Sequence, residues 1–402
     1  MDFIELRVHP RIINALNEME ITEPTEIQRK AIPLAKEGKD VIGMSRTGSG
    51  KTCAFGIPLL EKIEKGKGIQ SIIMTPTREL AVQIERELKK FGKYLDFNTA
   101  LIFGGVSYGP QLDAMAVADI VVGTPGRLLD HIERGNLDLS KVKIGVLDEA
   151  DKMVEMGFIE DVTKILDCTP QSKQMLLFGA TLSEEVQALR NRHMHDPVVA
   201  KAKINVDTDL LKQYYYDIEM HEKFSLLAHL LRKEKTDRVM IFCSARSTVE
   251  LVTNNLRKQG IKCEMMHGKL SQSKRLQVID QFNNGKTPIL VASTVAARGL
   301  HIDDVSHVFN YDLSQDPQEY IHRIGRTARA GESGKAITLL SPRDHGAFGY
   351  ILDRYGCMVE KLPKEKFQKL QFDARIRSNG PRRNFGSRNG RSRNGHRRYA
   401  HA

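Results

Sequence analysis

The sequence predicts an α/β protein: two tandem doubly wound parallel-sheet domains followed by a disordered basic C-terminal tail. Three observations carry that prediction. Short Val/Ile/Leu-rich runs alternate with helix-compatible stretches along most of the 402 residues, as expected of strands covered on both faces. The rhythm stops at a polar stretch near the middle and then resumes, which marks two units. From Gln371 onward the chain is Arg, Asn, Gly and Ser with Phe385 and Tyr399 as its later aromatics, too little apolar matter to fold alone.

The first unit, residues 1–203, opens on an amphipathic stretch at Phe3–Glu18. Strands are expected at Asp40–Ser45, Ser71–Pro76, Thr99–Gly105, Asp119–Pro125, Lys143–Asp148 and Gln174–Thr181. Helices are expected at Thr52–Glu64, Thr77–Tyr94 and Ile159–Asp167. Residues 204–211 lack periodicity and read as the linker. The second unit, 212–370, places strands at Tyr214–Ile218, Val239–Ser244, Lys262–His267, Pro288–Ser293, His307–Tyr311 and Lys335–Leu340. Helices at Glu222–Lys235 and Ser247–Gln259 separate the first of these.

An apolar fraction of 41% and a charged fraction of 28% are those of a soluble globular protein. No apolar run is long enough to span a membrane and no signal peptide is legible, so a cytoplasmic protein without membrane contact is expected. The five cysteines form no C-x-x-C pair, which argues for buried thiols over disulfides or zinc. The net charge of +11 is unevenly spread: residues 371–402 hold nine arginines against one aspartate, a local +8, which leaves +3 for the body. Such a tail favours a polyanion, with binding that weakens as salt rises.

Two motifs carry chemistry. Ser45-Arg46-Thr47-Gly48-Ser49-Gly50-Lys51-Thr52 is a phosphate loop placed between an expected strand and an expected helix. Gly48 and Gly50 let backbone N–H groups turn toward phosphates, Lys51 reaches the β/γ oxygens, and the Thr52 hydroxyl is a Mg²⁺ ligand. The apolar strand Lys143–Leu147 then ends in Asp148-Glu149-Ala150-Asp151, at the edge where open α/β sheets bind ligands. Asp148 is expected to hold Mg²⁺ through water and Glu149 to orient or deprotonate the attacking water.

With both motifs in place the chain resembles a DEAD-box ATP-dependent RNA helicase over roughly residues 3–362. The resemblance implies two RecA-like domains that close together on ATP and RNA, single-stranded or in short duplexes. Phe3, Thr25 and Gln28 match the adenine-binding segment, in which Ile21 also stands, beside the phosphate loop. Pro76, Thr77, Arg78, Gly104, Gly105, Thr124, Pro125, Gly126 and Arg127 match the first domain's RNA contacts. Gln272, Arg275, Ser293, Arg298 and Gly299 match those of the second. His322, Arg323, Arg326 and Arg329 match the arginine-finger segment, with Arg326 and Arg329 as the stabilising cations. Asp151, Gly179, Ala180, Thr181, His322 and Arg323 are the coupling set.

Several positions depart from the family pattern. Ile21 replaces a ring expected against adenine, and Ser45 replaces a small Ala or Gly. Gly179 replaces the serine of Ser-Ala-Thr, which removes a hydroxyl from the coupling set. Ser293-Thr294 stands for Thr-Asp, His301 for the aspartate at the ATP ribose, and Ala328 for a glycine, expected to be the mildest change. The leading expectation is an RNA-stimulated ATPase that locally opens duplexes. The alternative is an ATP-gated RNA clamp or chaperone with weak or no unwinding, and a DNA translocase is more distant. The basic tail, with Phe385 and Tyr399 for stacking, is expected to add RNA affinity. No protein partner is legible.

Overall fold

The computed structural model describes residues 2–45, 48–202, 210–234, 236–297, 302, 305–314, 317–328 and 333–374. The first lobe begins α1 (Pro10–Glu18), α2 (Glu26–Lys36), β1 (Val41–Met44), α3 (Lys51–Lys62), β2 (Ser71–Met74) and α4 (Arg78–Phe91). It continues β3 (Thr99–Ile102), α5 (Gly109–Met115), β4 (Ile120–Gly123), α6 (Pro125–Glu133), β5 (Ile144–Leu147) and α7 (Ala150–Glu155). It closes with α8 (Ile159–Asp167), β6 (Gln174–Gly179), α9 (Glu184–His193) and β7 (Val198–Lys201). The second lobe runs β8 (Leu211–Asp217), α10 (Lys223–Lys233), β9 (Val239–Cys243), α11 (Arg246–Lys258), β10 (Cys263–Met266) and α12 (Gln272–Asn283). Then come β11 (Ile289–Ser293), α13 (Thr294–Ala297), β12 (His307–Asn310), α14 (Pro317–Ile324), β13 (Gly334–Leu340), α15 (His345–Tyr355) and β14 (Glu360–Lys361).

The first sheet has the order β3-β4-β2-β5-β6-β1-β7 and the second β10-β11-β9-β12-β13-β8-β14. Counted from each lobe's own first strand, the two orders are the same. Every strand pairing within them is parallel. The expected strands are all present, with ends shifted by up to three residues. Strands such as β5 are buried along their length because helices cover both faces, so the sequence shows a continuous apolar run rather than alternation. Each Val or Ile so buried contributes about 1.5–3 kcal/mol. Parallel strands also gather all their carboxyl ends on one edge, and that edge holds the site.

The structure departs from expectation in three places. The amphipathic stretch Phe3–Glu18 is helical only from Pro10, which takes the first helical position behind a His9 cap. Leu211, expected to end the linker, opens β8, while 203–209 lie outside the described residues. Packing also continues past 370. Leu362, Phe367, Leu370 and Phe372 lie against the second lobe's core, and Asn255 exchanges two side-chain hydrogen bonds with the backbone of Asp373. The expected tail from 375 onward lies outside the described residues.

Of the five cysteines, Cys53, Cys243 and Cys263 are buried, and burial raises their thiols above the usual range. Cys168 is exposed, contrary to the expectation of buried thiols throughout, because it follows the C-terminal turn of α8. Among the described residues no helix is long and apolar enough to cross a membrane.

Candidate functional site

The loop after β1 is braced from α2. The Thr25 hydroxyl donates to the Ser49 carbonyl at 2.7 Å, and Gln28 Nε2 donates to the Gly50 carbonyl at 3.0 Å. Gln28 Oε1 meanwhile accepts from the Thr25 N–H at 2.9 Å. The expected purine-reading amide is thus 3% exposed and partly spent on the loop, leaving one N–H and one lone pair for a base. Gly50 caps α3 at φ 86, and a Cβ there would stand 2.3 Å from Gln28 Nε2, so only glycine fits. Lys51 opens α3 with Nζ 3.5 Å from the Ser45 carbonyl. The Ser45 hydroxyl, one of the departures, accepts from the Ser49 hydroxyl at 2.7 Å. Arg46 and Thr47 lie outside the described residues.

Phe3, expected in the adenine-binding segment, is 3% exposed. It is buried in the same apolar cluster as Ile27 and Ala31 of α2, because the turn before α1 folds it into the core. Ile21 is half-buried against that cluster.

Asp148 and Glu149 follow β5 directly and are both buried. Asp148 Oδ1 accepts from the Glu149 N–H at 3.0 Å. Glu149 sits at φ 54 and ψ 48, left-handed backbone that a non-glycine residue adopts at a cost of about 1–3 kcal/mol. Strain at a buried carboxylate beside a phosphate loop is the kind that surrounding structure maintains at working sites. The Thr52 hydroxyl and the Asp148 carboxylate are hard oxygen donors suited to Mg²⁺. Among the described residues no three His, Cys, Asp or Glu side chains converge on a metal position. A cation here would therefore draw most of its oxygens from phosphate and water.

Of the expected coupling set, Gly179, Ala180 and Thr181 come together around Asp151. Its Oδ2 accepts from the N–H groups of Ala180 at 3.0 Å and Thr181 at 3.2 Å, and from the Thr181 hydroxyl at 3.4 Å. A Cβ on Gly179 would lie 3.4 Å from Asp151 Oδ1, ordinary contact, so the missing serine would fit and reach the carboxylate. Across the cleft, Lys152 Nζ is 3.0 Å from His322 Nε2 on α14. Arg326 follows one turn later, its N–H bonded to the Arg323 carbonyl.

Arg323, also expected in the coupling set, is built into the second lobe. It is 1% exposed, donating from Nε to the Thr294 hydroxyl at 2.9 Å and from Nη1 to the Asp312 carbonyl at 2.6 Å. It anchors α14 inside the second lobe, and Thr294 serves it as acceptor where a carboxylate is the family norm. Ala328, expected to be the mildest departure, has φ 56, left-handed backbone that favours glycine. Arg298, Gly299, His301 and Arg329 lie outside the described residues.

At the β3, β4 and β2 end of the same sheet edge, a groove of about 830 Å³ runs between the lobes. Pro76, Thr77, Arg78, Gly104, Thr124, Gly126 and Arg127 line it from the first lobe, and Gln272 and Arg275 from the second. Two helix N-termini open on it: Thr77 caps α4, accepting from the Leu80 N–H, and Thr124 caps α6 with Pro125 at its first position. Gly105 has φ 82, and a Cβ there would stand 2.2 Å from Arg78 Nη1, so the glycine lets the guanidinium lie on the backbone. Gly105, Pro125 and Ser293 are not among the lining residues. Gln272 and Arg275 spend polar atoms on one first-lobe group: Gln272 Nε2 donates to Glu79 Oε1 at 3.0 Å, and Arg275 Nε pairs with the same oxygen at 3.0 Å. Leu276 packs on the first lobe's core, and Arg86 pairs with Asp280 at 2.7 Å. Glu79, Tyr108, Asp130, Met156 and Phe158 also line the groove and were not expected. Glu79 is the readiest of these to find from sequence, since it directly follows the expected contacts Pro76, Thr77 and Arg78.

Family profiles decide the kinship. One described as DEAD/DEAH box helicase matches residues 25–189, and one described as helicase conserved C-terminal domain matches 222–331. The chain belongs to the DEAD-box helicase family. It is 42% identical over 372 residues to the ATP-dependent RNA helicase CshA of Listeria monocytogenes, covering 92% of this chain and 70% of that one. It is 41% identical over 372 residues to the DEAD-box ATP-dependent RNA helicase CshA of Geobacillus kaustophilus, covering 92% and 78%. Among solved structures, S. cerevisiae Dbp5 bound to RNA and ADP BeF3 superposes with a TM-score of 0.80 at 30% identity, covering 90% of this chain and 95% of that one. A DEAD box protein from the hyperthermophile Methanococcus jannaschii gives 0.57 at 42% identity, covering 90% and 99%. As a DEAD-box helicase the chain is an enzyme of the ATP-dependent helicase class, built of two RecA-like domains.

Proposed function

We propose that this helicase is an RNA-stimulated ATPase that binds single-stranded RNA across both lobes and locally opens short duplexes. The supporting observation is the division of one sheet edge. The adjacent strands β5, β6 and β1 end in the acidic motif, the coupling segment and the phosphate loop. The adjacent strands β3, β4 and β2 end in the groove's Gly104, Thr124 and Thr77. The second lobe meets both halves, α12 at the groove through Glu79 and α14 at the nucleotide side through Lys152. Either ligand then favours the joined lobes, and each thereby favours the other.

In this reading Lys51 and the N-terminus of α3 take the phosphates, and Glu149 orients the attacking water and accepts its proton. Thr52, and Asp148 through water, would hold Mg²⁺, whose charge offsets that of the phosphates. Arg326 and Arg329 add positive charge from the second lobe after closure. Two Thr-capped helix N-termini, Arg78 and Arg127 offer N–H groups and cations to a sugar–phosphate backbone, which carries no base code. That the relatives are RNA helicases and that Dbp5 is seen bound to RNA supports RNA as the partner. Gly179 favours a second reading, an ATP-gated clamp, because the Asp151 link there rests on backbone N–H groups and Thr181 alone.

Strand displacement on a short RNA duplex separates the two. Repeated displacement that requires hydrolysable ATP supports the helicase. Tight binding without displacement, unchanged by a non-hydrolysable analogue, rejects it in favour of the clamp.

A further inference from the structure

Tyr108 lies between Gly105 and α5, outside every motif named above, and lines the groove. The Arg127 guanidinium sits 4.2 Å from its ring centroid and that of Arg134 sits 4.9 Å away. Its hydroxyl donates to Asp130 Oδ2, and Asp130 Oδ1 accepts from Arg134 Nε at 2.6 Å. His131, fully buried, meets the ring edge-on with centroids 5.2 Å apart. Arg127 Nη2 donates to the Val106 carbonyl at 3.1 Å, while Nη1 is buried without a hydrogen-bond partner among the described residues.

We propose that Tyr108 is a positioning residue for nucleic acid, holding Arg127 by its ring face so that the guanidinium is pre-set for a backbone phosphate. The proposal rests on the groove being the RNA site. A free arginine loses much rotamer freedom when it grips a phosphate, and a stacked, carbonyl-tethered one has already lost it. Cation–π attraction to the ring opposes the side chain's escape into water. The Tyr108 hydroxyl and Arg134 both engage Asp130, which satisfies that carboxylate and keeps it from claiming Arg127: the Arg127–Asp130 separation is 3.9 Å, against 2.6 Å for Arg134. Nη1, buried in this arrangement, makes no hydrogen bond among the described residues, so a small shift of the groove-lining guanidinium toward an acceptor breaks no bond there. Burial and the neighbouring Arg127 hold His131 below its ordinary range, so it adds no competing charge near neutral pH.

The test is the salt dependence of single-stranded RNA binding by the full chain, comparing Tyr108→Leu, Tyr108→Phe and Arg127→Ala. Leucine fills the space without a π face. The expected result is a roughly five- to tenfold weaker affinity for Tyr108→Leu, with its log–log salt slope shallower by about 0.7, one phosphate contact on a single strand. Tyr108→Phe keeps the ring and loses only the hydroxyl that engages Asp130, so it is expected to lie closer to the parent than to Tyr108→Leu in both affinity and slope. A Phe variant as weak as the Leu variant overturns the ring-stacking role. A Leu variant equal to the parent beside a weakened Arg127→Ala also overturns it, and leaves the groove as the RNA site. If Arg127→Ala too is unchanged, the groove reading falls with it.

Discussion

In the first lobe the helix that follows the first strand begins at Lys51, and the fifth strand runs into Asp148; in the second lobe the same positions hold Lys223, first residue of α10, and Asp312, two residues past β12. The strand order is identical, so the correspondence is topological. The chemistry is opposite. Lys51 follows a glycine-bearing loop, is 7% exposed and has its Nζ 3.5 Å from the Ser45 carbonyl, whereas Lys223 is fully buried, donating to Asp344 Oδ2 at 2.7 Å and to the Tyr311 carbonyl at 3.2 Å. Burial pulls the Lys223 ammonium down from its ordinary range. Burial works against ionised Asp344, but hydrogen bonds from Lys223 and Ser341 hold it low. Asp312 is spent on the Ser244 N–H and hydroxyl, and burial raises it. In the proposed function the first lobe aims these groups at a ligand, whereas the second turns them inward as struts. Function resides in the loops and not in the repeated sheet.

That contrast is open to direct attack. Lys51→Ala should lower ATP turnover by about a hundredfold or more with little change in stability. Lys223→Ala should strand a buried carboxylate and destabilise the second lobe by about 3–5 kcal/mol, read by denaturant unfolding. A Lys223 variant as stable as the parent would erase the distinction. Next in size, Gly179→Ser should raise duplexes opened per ATP a few-fold, because its hydroxyl adds a bond to Asp151 where space already exists. No change in that ratio would mean the link does not limit coupling. Ala328→Gly should stabilise the second lobe by roughly 1 kcal/mol through relief of its left-handed backbone, visible as a higher unfolding midpoint. Smallest is the exposed Arg86–Asp280 pair joining the lobes. A double-mutant cycle on RNA affinity should give a coupling below about 1 kcal/mol that vanishes at high salt.

The sequence disclosed strands, loops and motif order because each has a local signature. A buried parallel strand is an apolar run, as at Ile144–Leu147, and a phosphate loop needs its glycines and lysine at fixed offsets. It did not disclose what each polar atom bonds, since the partners come from distant segments. Gln28 turned to the Gly50 carbonyl, Arg323 to Thr294, and Gln272 with Arg275 to Glu79. Backbone sign was equally hidden: Ala328 reads as a mild replacement until its φ is known. Sequence places the end of the second unit at 370, short of the packing that continues through Phe372, because Leu362, Phe367, Leu370 and Phe372 follow neither helical nor strand spacing among charged neighbours. Tyr108 escaped for another reason, belonging to no motif and acting through Arg127.

The central claim is that one sheet edge and the facing lobe form two joined sites, so that RNA governs hydrolysis. Steady-state ATP turnover with and without single-stranded RNA, beside Glu149→Gln, measures it most directly. The account predicts slow turnover without RNA, a rise of at least about tenfold with it, and loss of both in the Gln variant. Turnover that is Glu149-dependent yet indifferent to RNA would contradict it.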